Sequence, residues 1–421
     1  MLREGHLDHP RTRGSCLTMP PSGIFARLTN LHLGCIRLRG PSMLGEAVSS
    51  PRCPTLQKLT LSGTSGLGNL TIHSDSLLEM TLTRVHGLQQ LNVTAPALKQ
   101  LEVLSCFTKG RMILILPVAN ISAPQLESLM WWDDYDPKFT QLSKMENLQC
   151  LSTFPFTVYE ETDYVRELQN RYCTRLLRRF ELIHSLRFQL VNDLEDIITN
   201  QQYLMEDITR LPDITFMFLD ITGNGHSFGP SSFHLLRMCT GLRKLSLTFC
   251  GTTRRPETLC PSGCVCDQPP SWKTKELALN CLREVEVCNL IGTEHEAALV
   301  ERLFVWATVL QKMTVTFHCS VAESKAKEFC QMLQSFSRPE ISMKGATFCL
   351  IYSYQSLPWT DLVGNSRCTA GPPRMLCKLV SCAGAGTWWS FCTSHLGINC
   401  TTCELQCVSY RIFPSEMLQD V

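Results

Sequence analysis

Apolar and polar positions alternate in a short spelling that returns three times early in the chain: PTLQKLTLSG at 54–63, DSLLEMTLTR at 75–84 and PALKQLEVLS at 96–105. Leu56, Leu77 and Leu98 lie 21 residues apart, as do Leu59, Met80 and Leu101, and again Leu61, Leu82 and Val103. The register continues between the copies, where Leu67 matches Leu88, Leu70 matches Leu91 and Ile72 matches Val93. One L-x-x-L-x-L is weak evidence in an apolar-rich chain, but repeated registration at a fixed interval marks a structural repeat.

The same frame recurs as Leu28-Leu31-Leu33, Leu126-Leu129-Trp131, Ile183-Leu186-Phe188, Leu211-Ile214-Phe216, Leu242-Leu245-Leu247, Leu282-Val285-Val287 and Leu310-Met313-Val315, with Leu148-Leu151 as a degenerate copy. This pattern predicts an α/β fold, a leucine-rich-repeat solenoid or horseshoe over residues 21–250. Each frame supplies one short strand whose alternate side chains point into the stack. No coil can bury its leucines alone, so stacking closes the core. The intervening residues then fall on the outer face of the strand ladder: Lys58, Thr60, Glu79, Thr81, Gln100, Glu102, Ser128, Met130, Arg187, Lys244 and Ser246. These are the candidate protein-binding residues, because a long ladder offers an extended surface to a partner.

Longer repeats leave room for helices. EETDYVRELQNRYCTRLLRRFELIH at 160–184 places Val165, Leu168, Tyr172 and Leu176 at helical spacing, with Arg166, Arg171, Arg175 and Arg178 as a solvated stripe. The Pro- and Cys-rich residues 251–275 form a linker. Beyond it, Thr293 with Glu296 and Ser320 with Glu323 have the spacing of capping boxes. They open two amphipathic helices that alternate with the strand-like QKMTVTF and PEISMKGATF, giving a small α/β unit over 276–348 that closes one end of the solenoid. Residues 349–421 follow neither pattern; this Cys-rich tail is expected to be disordered and dispensable.

Composition narrows the function. The chain has 421 residues, 44% of them apolar, with a net charge of +1 that gives no electrostatic case for nucleic acid or a membrane surface. Its longest apolar run, MILILPVA at 112–119, is too short to span a bilayer, and MLREGHLDHPRTRG lacks the apolar core of a signal peptide. A cytoplasmic or nuclear protein is expected, with the 23 cysteines mostly free thiols and Cys150, Cys239, Cys281 and Cys319 acting as small buried apolar groups. The sequons at Asn69, Asn92, Asn120 and Asn399 are then incidental.

No pattern of catalysis emerges, and no enzyme activity, cofactor or metal is expected. GNGHSFG at 223–229 misses the spacing of a pyrophosphate loop and is read as a turn between repeats around His226 and Gly229. DDYD at 133–136 lacks the spaced ligands of a calcium loop and is read as a solvated loop. Neither Cys260, Cys264 and Cys266 nor Cys392, His395, Cys400 and Cys403 has the spacing of an ordinary structural zinc site.

Taken with the repeats, CTGLRKLSLTF, CPSGCVCDQPPSW and LREVEVCNLIGTEHEAALVERLFVWATVLQKMTV resemble the plant F-box proteins that carry leucine-rich repeats and a C-terminal FBD domain. The resemblance covers residues 20–348 and is most specific over 260–317. It implies that the repeats recognise a target protein, that 276–348 is FBD-like, and that an F-box docks onto the Skp-type adaptor of a cullin ubiquitin ligase. Residues 1–20, MLREGHLDHPRTRGSCLTMP, show no F-box pattern and are read as an N-terminal remnant. The adaptor is therefore an expected partner only of a longer form. The alternative is a stand-alone scaffold or decoy with no role in ubiquitination.

Overall fold

A computed structural model describes residues 4–8, 16–17, 23–38, 43–107, 117–159, 164–192, 202–223, 225–250, 266 and 270–346. The first strands are β1 (Glu4–Asp8), β2 (Cys16–Leu17), β3 (Asn30–Gly34) and β4 (Arg37–Leu38), followed by helix α1 (Met43–Val48). The 21-residue copies supply β5 (Lys58–Ser62), β6 (Asn69–His73), β7 (Glu79–Thr83), β8 (Gln90–Thr94) and β9 (Gln100–Leu104), and β10 (Val118–Ser122) follows. Next come β11 (Ser128–Trp132), β12 (Thr140–Leu142), β13 (Cys150–Thr153), β14 (Phe156–Thr157), α2 (Tyr164–Arg179), β15 (Ser185–Val191) and β16 (Phe216–Thr222). The rest is α3 (Gly229–Leu236), β17 (Lys244–Phe249), β18 (Glu284–Leu290), α4 (Glu294–Trp306), β19 (Lys312–Phe317), α5 (Glu323–Phe336) and β20 (Ser342–Ala346).

A 14-stranded sheet runs in the order β1-β3-β5-β7-β9-β11-β13-β15-β16-β17-β18-β19-β20, with β14 added beside β15. Its register stacks the predicted frames. Leu31, Leu59, Met80, Leu101, Leu129, Leu151 and Leu186 stand opposite one another, and all are buried. The file continues through Met217, Leu245, Val285 and Met313. This is the leucine-rich-repeat solenoid, and it corrects one frame. The predicted Leu211-Ile214-Phe216 is shifted: Met217 and Leu219 are the buried strand positions, and Phe216 faces outward, half-buried. FMFL at 216–219 is apolar on both faces, so its alternation cannot choose a register.

The segments between ladder strands solve the burial problem in two ways. In the shorter coils a second parallel sheet, β12-β10-β8-β6, lines the opposite side of the core. Leu70, Leu91 and Ala119 form one of its buried files and Ile72, Val93, Ile121 and Leu142 the other. A coil this short has no length for a helix beside its strand and two corners. Where the repeats lengthen, α2, α3, α4 and α5 take over that side.

Corners repeat as well. Cys35, Gly63, Arg84 and Ser105 each follow a ladder strand with φ between 51° and 61°. There the amide still bonds the next coil, as Gly63 N–H does to Thr83 O at 2.9 Å. Only position 63 is glycine; elsewhere the left-handed turn costs roughly 1 kcal/mol, which the ladder offsets.

The α/β unit over 276–348 does not form a sheet of its own. Lys244 pairs with Glu284 and Lys312 with Ser342, so β18, β19 and β20 continue the ladder in parallel. At the other end, β1 pairs with β3, so residues 4–8, expected to be a remnant, already form a ladder strand. In the expected linker Cys266 and Trp272 are buried; the Ser227 amide donates to Cys266 Sγ at 3.3 Å, and Trp272 packs on Gly229 and edge-on to Trp306.

The predicted capping box at Thr293 is present. Its hydroxyl accepts from Glu296 N–H, and the Glu296 carboxylate accepts from the amides of Ile291, Gly292 and Thr293. The second box is not. Helix α5 starts at Glu323 after Ala322, so Glu323 stands at the first helical position and pairs with Lys327, while Ser320 bonds His318. The tail 349–421 lies outside the described residues.

Candidate protein-binding face

Strand alternation places the eleven candidate residues on two adjacent outward rows. Lys58, Glu79, Gln100 and Ser128 occupy the first, which runs on through Cys150, Ser185, Phe216 and Lys244. Thr60, Thr81, Glu102 and Met130 occupy the second, continuing through Ser152, Arg187, Phe218 and Ser246. Most are half-buried. Ser128 and Ser246 are exposed by only 6% and 7%, which corrects their expected accessibility: a short side chain between bulkier neighbours is shadowed.

The N-terminal part of the face neutralises itself. Lys58 Nζ lies 2.7 Å from Glu79, and the Thr81 hydroxyl donates to Glu102 at 3.3 Å. Burial pushes the Glu102 carboxyl above its ordinary range, outweighing that hydrogen bond and the Lys58 charge. Half-exposed ion pairs of this kind contribute about 0–1 kcal/mol each.

Toward the middle the character changes. Trp132 shares the outward face with Met130 and donates its indole N–H to Ser152 Oγ at 2.9 Å. Phe216 and Phe218 pack ring against ring with centroids 4.1 Å apart. Lys244 Nζ sits 4.9 Å from the Phe216 centroid, and the Arg187 guanidinium 5.2 Å from that of Phe218. Arg187 also pairs at 3.5 Å with Asp220, which is buried. The result is a row of rings and cations in contact across β15, β16 and β17. Sequence reasoning missed Trp132, Phe216 and Phe218. The traces were WW at 131–132 and FMF at 216–218, since a strand that points Trp131 or Met217 inward must turn the neighbouring rings outward.

Other predicted features resolve differently. In DDYD, Asp133 is buried rather than solvated and accepts the amide N–H groups of Cys106, Phe107 and Asp134. Burial nonetheless pushes its carboxyl up to about 6. Tyr135 is buried, and Asp136 pairs with Arg175 at 2.8 Å. The arginine stripe of α2 is likewise more than a solvated face. Arg178 donates to Asp207 O and Thr209 Oγ1, while Arg179 beside it donates to Leu142 O.

His226 is buried, and Gly229 opens α3 instead of lying in a turn. Cys150 and Cys239 are buried as expected, but Cys281 and Cys319 are exposed. Cys266 is engaged by the Ser227 amide; Cys260, Cys264, Cys392, His395, Cys400 and Cys403 lie outside the described residues. Among the described residues no cluster of three His, Cys, Asp or Glu side chains could hold a metal ion, and no helix is long and apolar enough to cross a membrane.

Residues 7–147 match the family model for the LRR repeats of the FBD-associated F-box protein At5g56370. Over 310 residues the chain is 26% identical to an Arabidopsis thaliana protein described as the F-box/FBD/LRR-repeat protein At4g03220. The alignment takes in 70% of this chain, which spans about 60% of that relative's length.

Proposed function

Both similarities are to the plant F-box/FBD/leucine-rich-repeat family, and on that premise we propose that this chain recognises a target protein through the outward face of its ladder, as the substrate-selecting part of a cullin-type ubiquitin ligase. The observation that carries this reading is the run of Trp132, Arg187, Phe216 and Lys244 on the outward rows, backed by Phe218, which is itself only 7% exposed. Protein-binding hot spots are enriched in Trp, Arg and other aromatic residues. A core-facing role does not account for rings on the outward rows. On the same reading residues 276–348 are the FBD-like part, laid onto the ladder's end, and the protein works in the cytoplasm or nucleus.

The test is affinity capture from plant extract with the wild-type chain and a Trp132→Ala/Phe216→Ala variant side by side. Proteins retained by the wild type and lost on the double variant support the proposal; equal capture by both refutes it. The ligase role is separable. A pull-down of chain 1–421 with a purified Skp-type adaptor tests it directly. Stoichiometric retention would place the docking element within these residues.

A further inference from the structure

Where β15, β16 and β17 begin, His184, Thr215, Phe216, Arg243 and Lys244 line an open cleft of about 370 Å³. The placement follows from the repeat. His184, Thr215 and Arg243 each stand one residue before a ladder strand, so they take the same position on successive coils, and Phe216 and Lys244 take the first outward position. Thr215 donates its hydroxyl to His184 O at 3.0 Å and lies 2.8 Å from His184 Nδ1, which fixes that edge.

The charges in this cleft are not balanced. Among the described residues, neither Arg243 nor Lys244 has an acidic partner. Glu284, opposite Lys244 in the register, lies 3.9 Å from Lys312 on the next strand instead. The ammonium of Lys244 has the Phe216 ring as its neighbour. Arg283, exposed, repeats the position of Arg243 one coil further on. The lining of the cleft holds no carboxylate, although exposed Glu181 and Asp213 stand on the segments leading into β15 and β16. Apolar surface adjoins it: Phe216 is half-buried against Phe218, and Leu182, two residues before His184, is 72% exposed.

We propose that the partner segment held by this face presents a carboxylate group to Arg243 and Lys244, beside an apolar side chain that packs on Phe216. The inference rests on the reading of the ladder as a protein-binding face and adds the chemistry of what is bound. A guanidinium offers paired donors that match the two oxygens of a carboxylate, and an ammonium beside it adds a second charge. The adjacent ring excludes water from one side, which strengthens the ion pair.

The experiment selects a displayed random-peptide library on the purified full chain, then measures synthetic copies of enriched peptides by fluorescence anisotropy. Each peptide is made with its acidic residue as Glu, as Gln and as phosphoserine, and tighter binding of the phosphoserine form than of the Glu form would overturn the choice of a carboxylate. Enriched peptides are expected to carry an acid next to an apolar residue. They should weaken about tenfold or more on Glu→Gln exchange and on Arg243→Glu, and bind more tightly at low salt. Arg243 is exposed, so the variant should melt like the wild type. Peptides that enrich without acids, or that ignore Arg243→Glu yet are lost on Trp132→Ala, overturn the anion site while leaving the binding face standing. Binding indifferent to both variants, or no enrichment at all, overturns the two together.

Discussion

Leu101→Ala tests whether the repeat is a stacked core. Leu101 is fully buried, with Met80 and Leu129 opposite it on the flanking strands β7 and β11. Truncation removes three carbons, a transfer loss of about 2.4 kcal/mol at about 0.8 kcal/mol each. A cavity term adds to this, because both neighbouring strands are held by ladder hydrogen bonds and cannot collapse inward. The total expected is about 3–4 kcal/mol, within the range found for buried leucines. The matching control is Gln100→Ala, one residue away on the outward row, which should cost no more than about 0.5 kcal/mol. Urea denaturation of the full chain followed by circular dichroism compares the two midpoints. A loss below about 1 kcal/mol for Leu101→Ala, or equal losses for both, would refute the inward and outward assignment of the strand.

Two further outcomes follow from the structure. Asp133 has a folded-state pKa of about 6 against an ordinary 3.8, so the folded state binds more protons between these values; the contribution is greatest below about pH 4 and is lost as pH rises through 6, by roughly 3 kcal/mol. Asp133→Asn should flatten the wild-type decline in melting temperature between pH 4 and 6, and an unchanged profile would refute the assignment. Gly229→Ala would drive a methyl group into the Trp272 ring and should cost about 1–3 kcal/mol by overpacking, read as a drop in melting temperature; an unchanged melt would mean that Trp272 does not pack there.

The repeat, its inward leucines and the two outward rows were legible in the sequence because a strand has a period of two and a solenoid makes every coil bury the same positions. The register over 54–105 even carried the second sheet, since Leu70 and Ile72 alternate like Leu59 and Leu61, although a spelling alone does not say that it forms a separate sheet. Tertiary structure decided the rest. The frame at β16 needed the pairing of Leu186 with Met217, because FMFL is apolar on both faces. The frames Leu282-Val285-Val287 and Leu310-Met313-Val315 were legible, but only the pairing of Lys244 with Glu284 across the segment 251–275 decided that β18 to β20 continue the same sheet and do not form a separate one. The cleft at Arg243 is likewise assembled from three coils, with His184 and Arg243 far apart in sequence. Periodicity determines which way a side chain points, but only packing decides which neighbours it meets and whether its charge finds a partner.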